Sequence, residues 1–182
     1  MHGAYILFLI MILSSTQEAR LIEISLLAIC LLKPIHKGDF FLLREIFSES
    51  IQALDDTFYT KEQIQAWSAQ AWLPGLLDRP LEQGRGWISL EGEQFAAFGI
   101  RYPMDRLALL YCHPTFSRRG HATVLLNQIE SDALKEGHIS LVTEASFLSH
   151  PLLLKRGWIV ENKESLKIGG VPFDRFKMKK YL

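Results

Sequence analysis

A chain of 182 residues, 48% of them hydrophobic, is long enough to bury one well-formed core and short for two. Its 20 Lys and Arg cancel its 20 Asp and Glu, so there is no global field to attract nucleic acid or an anionic membrane, and neither partner is expected. Cys30 and Cys112 lie in apolar runs without Cys-x-x-Cys spacing, and the six histidines show no metal-ligand spacing; reduced, packed thiols and no metal are expected.

The N-terminus carries two apolar runs, Ala4–Leu13 and Leu21–Leu32, separated by Ser14–Arg20. Neither reaches the roughly 18–20 residues that span a bilayer, and no Lys or Arg precedes the first as in a secretory signal. A packed extra element, an interfacial anchor and an extension from an upstream start all fit. The reading adopted is an apolar extension over residues 1–25 ahead of a single domain over 26–182.

Within that domain Leu26–Pro34 reads as a strand, followed by the turn Lys37-Gly38-Asp39, with Asp39 as N-cap of a helix over Phe40–Leu54. Thr60-Lys61-Glu62-Gln63 is a capping-box pattern opening a second helix that carries Ile64 and Trp67. Pro74-Gly75 and Arg79-Pro80 read as loops. Trp87–Leu90 and Phe95–Ile100 flank Glu91-Gly92-Glu93-Gln94 as a hairpin, and Arg106–His113 extends it to a meander. An amphipathic helix with Ala122, Leu125, Leu126, Ile129 and Ala133 on its apolar face follows, with Glu130, Asp132 and Lys135 on the other side and Gly137 closing it. A strand over Ile139–Glu144, a short helix near Pro151, and two closing strands around Trp158–Leu166 and Val171–Tyr181 complete the chain. This order predicts an α/β sandwich around one mixed sheet.

The chemistry concentrates where the meander's third strand, Leu107–His113, turns through Ser117-Arg118-Arg119-Gly120-His121-Ala122 into the amphipathic helix. Free N–H groups and the positive end of the helix dipole converge there, the small side chains of Gly120 and Ala122 leave room, and two guanidinium groups can pair with phosphate oxygens. Strand, basic glycine turn and helix N-terminus together make a diphosphate cradle.

Leu110–Pro114 through Arg119–Ala122 resembles the acetyl-CoA-binding motif of the GNAT N-acetyltransferases, Gln/Arg-x-x-Gly-x-Gly/Ala after a strand ending Val-x-Pro. Leu141–Ser146 is similar to that family's next strand, Ser149–Trp158 to its Phe-Tyr-x-x-x-Gly-Phe helix, and Leu32–Asp39 to its opening strand and turn. The likeness covers about residues 29–182 and departs at three positions: Ser117 for the usual Gln or Arg, Ser146 for Asn, and Leu153 for a tyrosine.

The resemblance implies a GNAT-like mixed central sheet flanked by helices, acetyl-CoA as co-substrate, and a cytoplasmic enzyme that acetylates a primary amine of a small molecule or protein by direct attack in a ternary complex. It implies a sheet splayed beside Tyr111, Cys112 and His113, with the pantetheine arm along that edge and the Cys112 N–H on the acetyl oxygen. Ser117, Arg118, Arg119, Gly120, His121, Ala122 and Thr123 are then expected at the diphosphate, Arg119 foremost, with Ser146 on the neighbouring strand end. Glu144 and His113 are the expected proton acceptors; Leu153 cannot protonate the departing thiolate, so either solvent does, a thiol pKa of about 8.5 needing little help, or Tyr111, the nearest candidate by strand order, moves in. Phe58, Tyr59, Trp67 and Trp72 either line the acceptor cleft or cover the sheet, and a homodimer is an open expectation. The departures leave one alternative standing: an acyl-CoA-binding sensor or interaction module of the same fold without turnover. A nucleophilic Cys112 thiol is a weaker alternative.

Overall fold

The computed structural model describes residues 30–182. The expected extension over residues 1–25, and the start of the expected first strand, lie outside the described residues. Among the described residues, seven strands form a single mixed sheet: β1 (Cys30–Pro34), β2 (Arg85–Glu91), β3 (Gln94–Arg101), β4 (Arg106–Cys112), β5 (Ser140–Ala145), β6 (Ile159–Ile168) and β7 (Val171–Tyr181). Their order across the sheet is β1-β2-β3-β4-β5-β7-β6. Neighbours are antiparallel except β4 and β5, whose parallel pairing is confined to Arg106–Val142 and Leu107–Thr143.

Side-chain alternation divides the buried residues between two faces. On one face α1 (Phe40–Gln52), α2 (Lys61–Ser68) and α3 (Asp78–Gln83) place Leu43, Phe47, Ile51 and Leu81 on Ile88, Phe98, Ile100 and Leu109. On the other, α4 (His121–Lys135) and α5 (His150–Lys155) place Leu126, Ile129 and Leu153 on Leu107, Leu141, Trp158 and Met178. Because this second core draws on β4, β5 and β7 together, α4 spans the seam where the ladder between β4 and β5 stops.

Local signals explain most element ends. Thr60 Oγ1 accepts from Gln63 N at 3.2 Å while Gln63 Oε1 accepts from Thr60 N at 2.9 Å, the reciprocal cap that opens α2. Gly137, at φ +87°, ends α4. Two expectations are corrected. Asp39 does not cap α1: it has helical backbone angles, and its carboxylate accepts from His36 N and pairs with Lys33, both at 2.9 Å, so a short 3-10 turn leads into the helix. Arg79-Pro80 is not a loop but the first turn of α3, where the missing proline N–H costs nothing.

The polar side of α4 is tied to the sheet. Glu130 accepts from Trp158 Nε1 at 3.0 Å and Lys180 Nζ at 2.6 Å, Asp132 accepts from Trp87 Nε1 at 2.7 Å, and Glu136, beyond the helix end, binds buried Arg101 at 2.9 Å. These bonds fix the helix along its length. Its N-terminus is therefore held in place relative to β4.

Candidate active site

Beyond Leu107 the strands β4 and β5 part. Thr143 Oγ1 donates to Leu107 O at 2.7 Å and takes the place of the next ladder bond, while the Arg106 guanidinium crosses the gap to Glu144. On the β3 side His113 N donates to Ala96 O at 2.8 Å. Backbone groups alternate along an antiparallel strand, so the N–H and C=O of Cys112 and of Leu110 point the opposite way, into the gap. The free edge required for pairing with an extended amide-bearing arm is present.

At the top of that edge a 3-10 turn (Pro114–Phe116) leads into the loop before α4. Arg118 (φ +66°) and Gly120 (φ +92°) both adopt left-handed backbone, which for the arginine is strained. The first backbone bond into α4 is Val124 N to Gly120 O at 3.1 Å, leaving the N–H groups of His121, Ala122 and Thr123 without helical partners. Among the described residues no side chain caps them. Ser117 and Arg118 are exposed beside this cluster of donors. An anion-binding concavity of backbone N–H groups with adjoining guanidinium charge results.

Two of the expected loop residues are engaged otherwise. The His121 side chain, 1% exposed, points into the protein: its Nδ1 lies 2.8 Å from Ser89 Oγ and its Nε2 donates to Glu91 Oε2 at 3.1 Å. Only its backbone N–H remains for a ligand. Arg119 donates to the other Glu91 oxygen at 2.6 Å. That bond uses one of five guanidinium donors and keeps the side chain, about half exposed, over the loop. The hydrogen bond from His121, followed by the charge of Arg119, holds the Glu91 carboxyl below its usual pKa.

On the α1 and α2 face, Tyr111 packs on Phe47 (4.5 Å between ring centroids), Phe98 (5.8 Å) and Trp67 (6.5 Å). Burial pushes its phenol pKa upward, so it stays protonated. Tyr59 joins Trp67, Phe147 and Phe173, and accepts from Phe147 N at 3.0 Å. Phe58 stacks on Phe147, whereas Trp72 sits apart against Phe41. Of the four expected aromatics, Tyr59, Trp67 and Phe58 belong to one cluster and Trp72 does not.

Tyr111, His113 and Glu144 all face this side. His113 accepts from Thr115 N at its Nδ1 (3.2 Å) and lies 2.9 Å from Glu49 Oε2 through its Nε2. Glu144 is bound to Arg106. Burial raises the Cys112 thiol pKa to about 11, and its Sγ contacts His113 O at 3.6 Å, so the thiol is a poor nucleophile. Ser146 exchanges bonds with Ser149 at 3.0–3.1 Å, which fixes the start of α5. Leu153 is 1% exposed within the second core. Sequence reasoning gave no functional role to Glu49, Glu91 or Thr143, because each acts on a residue at least 28 positions away.

No protein-family model matches the sequence, and no curated protein matches it. Solved structures do. The GCN5-related N-acetyltransferase (aminotransferase, class-II) of Rhodopseudomonas palustris is 25% identical, with a TM-score of 0.80 over 84% of this chain and 96% of that one. The chain belongs to the GNAT superfamily of acyltransferases. The same GNAT fold recurs in the PaiA N-acetyltransferase of Thermoplasma acidophilum, solved with coenzyme A, at 17% identity and TM-score 0.63 over 84% of this chain and 99% of that one. It also recurs in a GNAT acetyltransferase of Elizabethkingia anophelis with acetyl-CoA bound, at 17% identity and TM-score 0.56 over 85% and 99%. Among the described residues of this GNAT chain, no helix is long and apolar enough to cross a membrane.

Proposed function

We propose that this protein transfers an acetyl group from acetyl-CoA to a primary amine, by direct attack within a ternary complex. The observation that carries the reading is the parting of β4 from β5 directly below the unsatisfied N-terminus of α4. One feature supplies a backbone edge for the pantetheine amides, the other supplies N–H donors for a diphosphate, and α4 holds the two in register. These residues fit the co-substrate. The His121, Ala122 and Thr123 N–H groups, Gly120, Ser117, Arg118 and the remaining donors of Arg119 hold the diphosphate; Tyr111, Cys112 and His113 hold the arm; Ser146 stands across the gap.

Acetyl-CoA supplies an acyl group already activated as a thioester. The protein's part is to place it, to stabilise negative charge on the carbonyl oxygen, and to handle protons. The Cys112 N–H, aimed into the gap, is the donor for the oxygen. Tyr111, kept protonated by burial, donates toward the departing thiolate. Glu144 stands on the side where the amine loses its proton, and His113, with both ring nitrogens engaged by Thr115 N–H and Glu49, borders the same place. Support for the co-substrate comes from the GNAT relatives solved with coenzyme A or acetyl-CoA.

A second reading, an acyl-CoA sensor without turnover, is favoured by one observation: Leu153, at the position where the family's tyrosine is expected, is packed in the core and offers no acid. Isothermal titration with acetyl-CoA followed by a CoA-release assay separates the two. Binding in the micromolar range, weakened roughly 10- to 100-fold by Arg119→Ala as expected for one charge-assisted phosphate contact, supports both readings. Release of CoA with an amine eliminates the sensor. No binding, with Arg119→Ala indistinguishable from the parent, overturns both.

A further inference from the structure

We propose that Glu49 of α1 is the carboxylate that receives the acceptor as its ammonium ion, and that His113 positions it. The inference rests on the acetyl-transfer reading above and names a residue to which no role has been given.

The argument starts from the imidazole. Thr115 N–H is a donor and lies 3.2 Å from His113 Nδ1, so in the neutral ring Nδ1 is the acceptor and the proton sits on Nε2. Nε2 then donates to Glu49 Oε2 at 2.9 Å. With both nitrogens satisfied, the ring acts as a fixed strut between the turn after β4 and the third turn of α1. The carboxylate it holds is only half engaged: the Glu49 side chain is 52% exposed, and among the described residues His113 is its sole ionic partner. Its second oxygen is free to accept.

Position and charge agree with an ammonium ligand. His113 directly follows Cys112, whose N–H points into the gap between β4 and β5, so Glu49 stands beside the reacting end on the face opposite α4. Glu45 lies one turn earlier on the same side of α1, an i,i+4 pair of like charges that weakens an isolated helix. Neither carboxylate has a Lys or Arg within ion-pair distance among the described residues; Lys33 is bound to Asp39, and Arg44 to Asp78 and the Ala71 carbonyl. That side of α1 presents two carboxylates beside the end of the gap, with no ion-paired Lys or Arg among the described residues. A primary ammonium, with three donors on a point charge, complements it.

The contact is made to the acceptor before reaction, so its loss falls on acceptor KM rather than on kcat. The probes are n-butylamine, tyramine and Nα-acetyl-lysine amide, each assayed for CoA release at saturating acetyl-CoA. At least one is turned over, and Glu49→Gln, a shape-preserving change at a half-exposed site, raises its KM roughly 10- to 100-fold, the range for a hydrogen bond to a charged group. Its kcat changes by less than about 3-fold and the acetyl-CoA KM is unchanged, a split that general loss of structure does not produce. Glu49→Asp recovers part of the loss. An unchanged acceptor KM in Glu49→Gln overturns the assignment, as does failure of all three amines with a protein that binds acetyl-CoA. Absence of acetyl-CoA binding overturns the reading beneath it instead.

Discussion

Replacing Glu136 by Ala tests how α4 is held. Arg101 is 2% exposed; its Nη2 donates to Glu136 Oε1 at 2.9 Å and its Nη1 to Met104 O at 2.8 Å. Deleting one partner of a buried ion pair costs about 3–5 kcal/mol, because the other charge is left unpaired away from water. Glu136 is itself 30% exposed, so water reaches part of the vacated site and about 2–4 kcal/mol is the better figure. In a domain of this size each kcal/mol moves Tm by about 2–4 °C, so a drop of roughly 4–16 °C is expected. Arg85→Ala removes a second, largely exposed partner of Glu136 and serves as control, with a shift under about 2 °C. The pH dependence has a definite sign. The hydrogen bond from Arg101 holds the Glu136 carboxyl below its unfolded pKa, so the stabilisation is fully present above that value, about 4.3, and is lost as pH falls through the folded pKa. Thermal unfolding followed by circular dichroism at pH 7 and pH 3.5 should show a large gap between parent and variant at the first and a smaller one at the second. Equal shifts for Glu136→Ala and Arg85→Ala at pH 7, or a gap that widens in acid, would refute the reasoning.

Two further outcomes are expected. Gly120→Ala puts a Cβ on a residue at φ +92° and a methyl among the donors of the loop; left-handed backbone costs an L-residue roughly 1–2 kcal/mol, and acetyl-CoA affinity by titration calorimetry should fall about 10-fold, an unchanged value refuting the loop's role. Thr143→Val keeps the side-chain shape but removes the donor to Leu107 O, leaving a buried carbonyl unpaired. Urea unfolding should show a loss of about 1–3 kcal/mol, and none at all would mean that water replaces the hydroxyl.

What the sequence disclosed was local. The cap of α2, the stripe of α4 with Gly137 behind it and the hairpin turns are each set by residues within a few positions of one another, and they stand where the pattern put them. The strand, basic turn and helix start were legible for the same reason. Elsewhere distant partners overrule or extend the local pattern. Asp39 carries an N-cap residue type, but Lys33 and the His36 N–H claim its carboxylate. Glu130 and Asp132 read only as the polar side of a helix, while Trp158, Lys180 and Trp87 reach them from distant parts of the chain. His121 sits in the middle of the loop motif, yet its ring turns inward to Ser89 and Glu91, which nothing in the motif foretells. Glu49 was invisible because its partner His113 is 64 positions away and no spacing rule links them.

The short ladder between β4 and β5 has a mechanical meaning. Every other seam in the sheet is joined over at least five residue pairs, and this one over two. The sheet is thus a four-stranded and a three-stranded panel meeting at a narrow joint, bolted by the Arg106–Glu144 pair and by the helix lying across both. Force that prises the panels apart meets its least resistance along this line, so the molecule's weakest crease and its candidate binding slot are the same place.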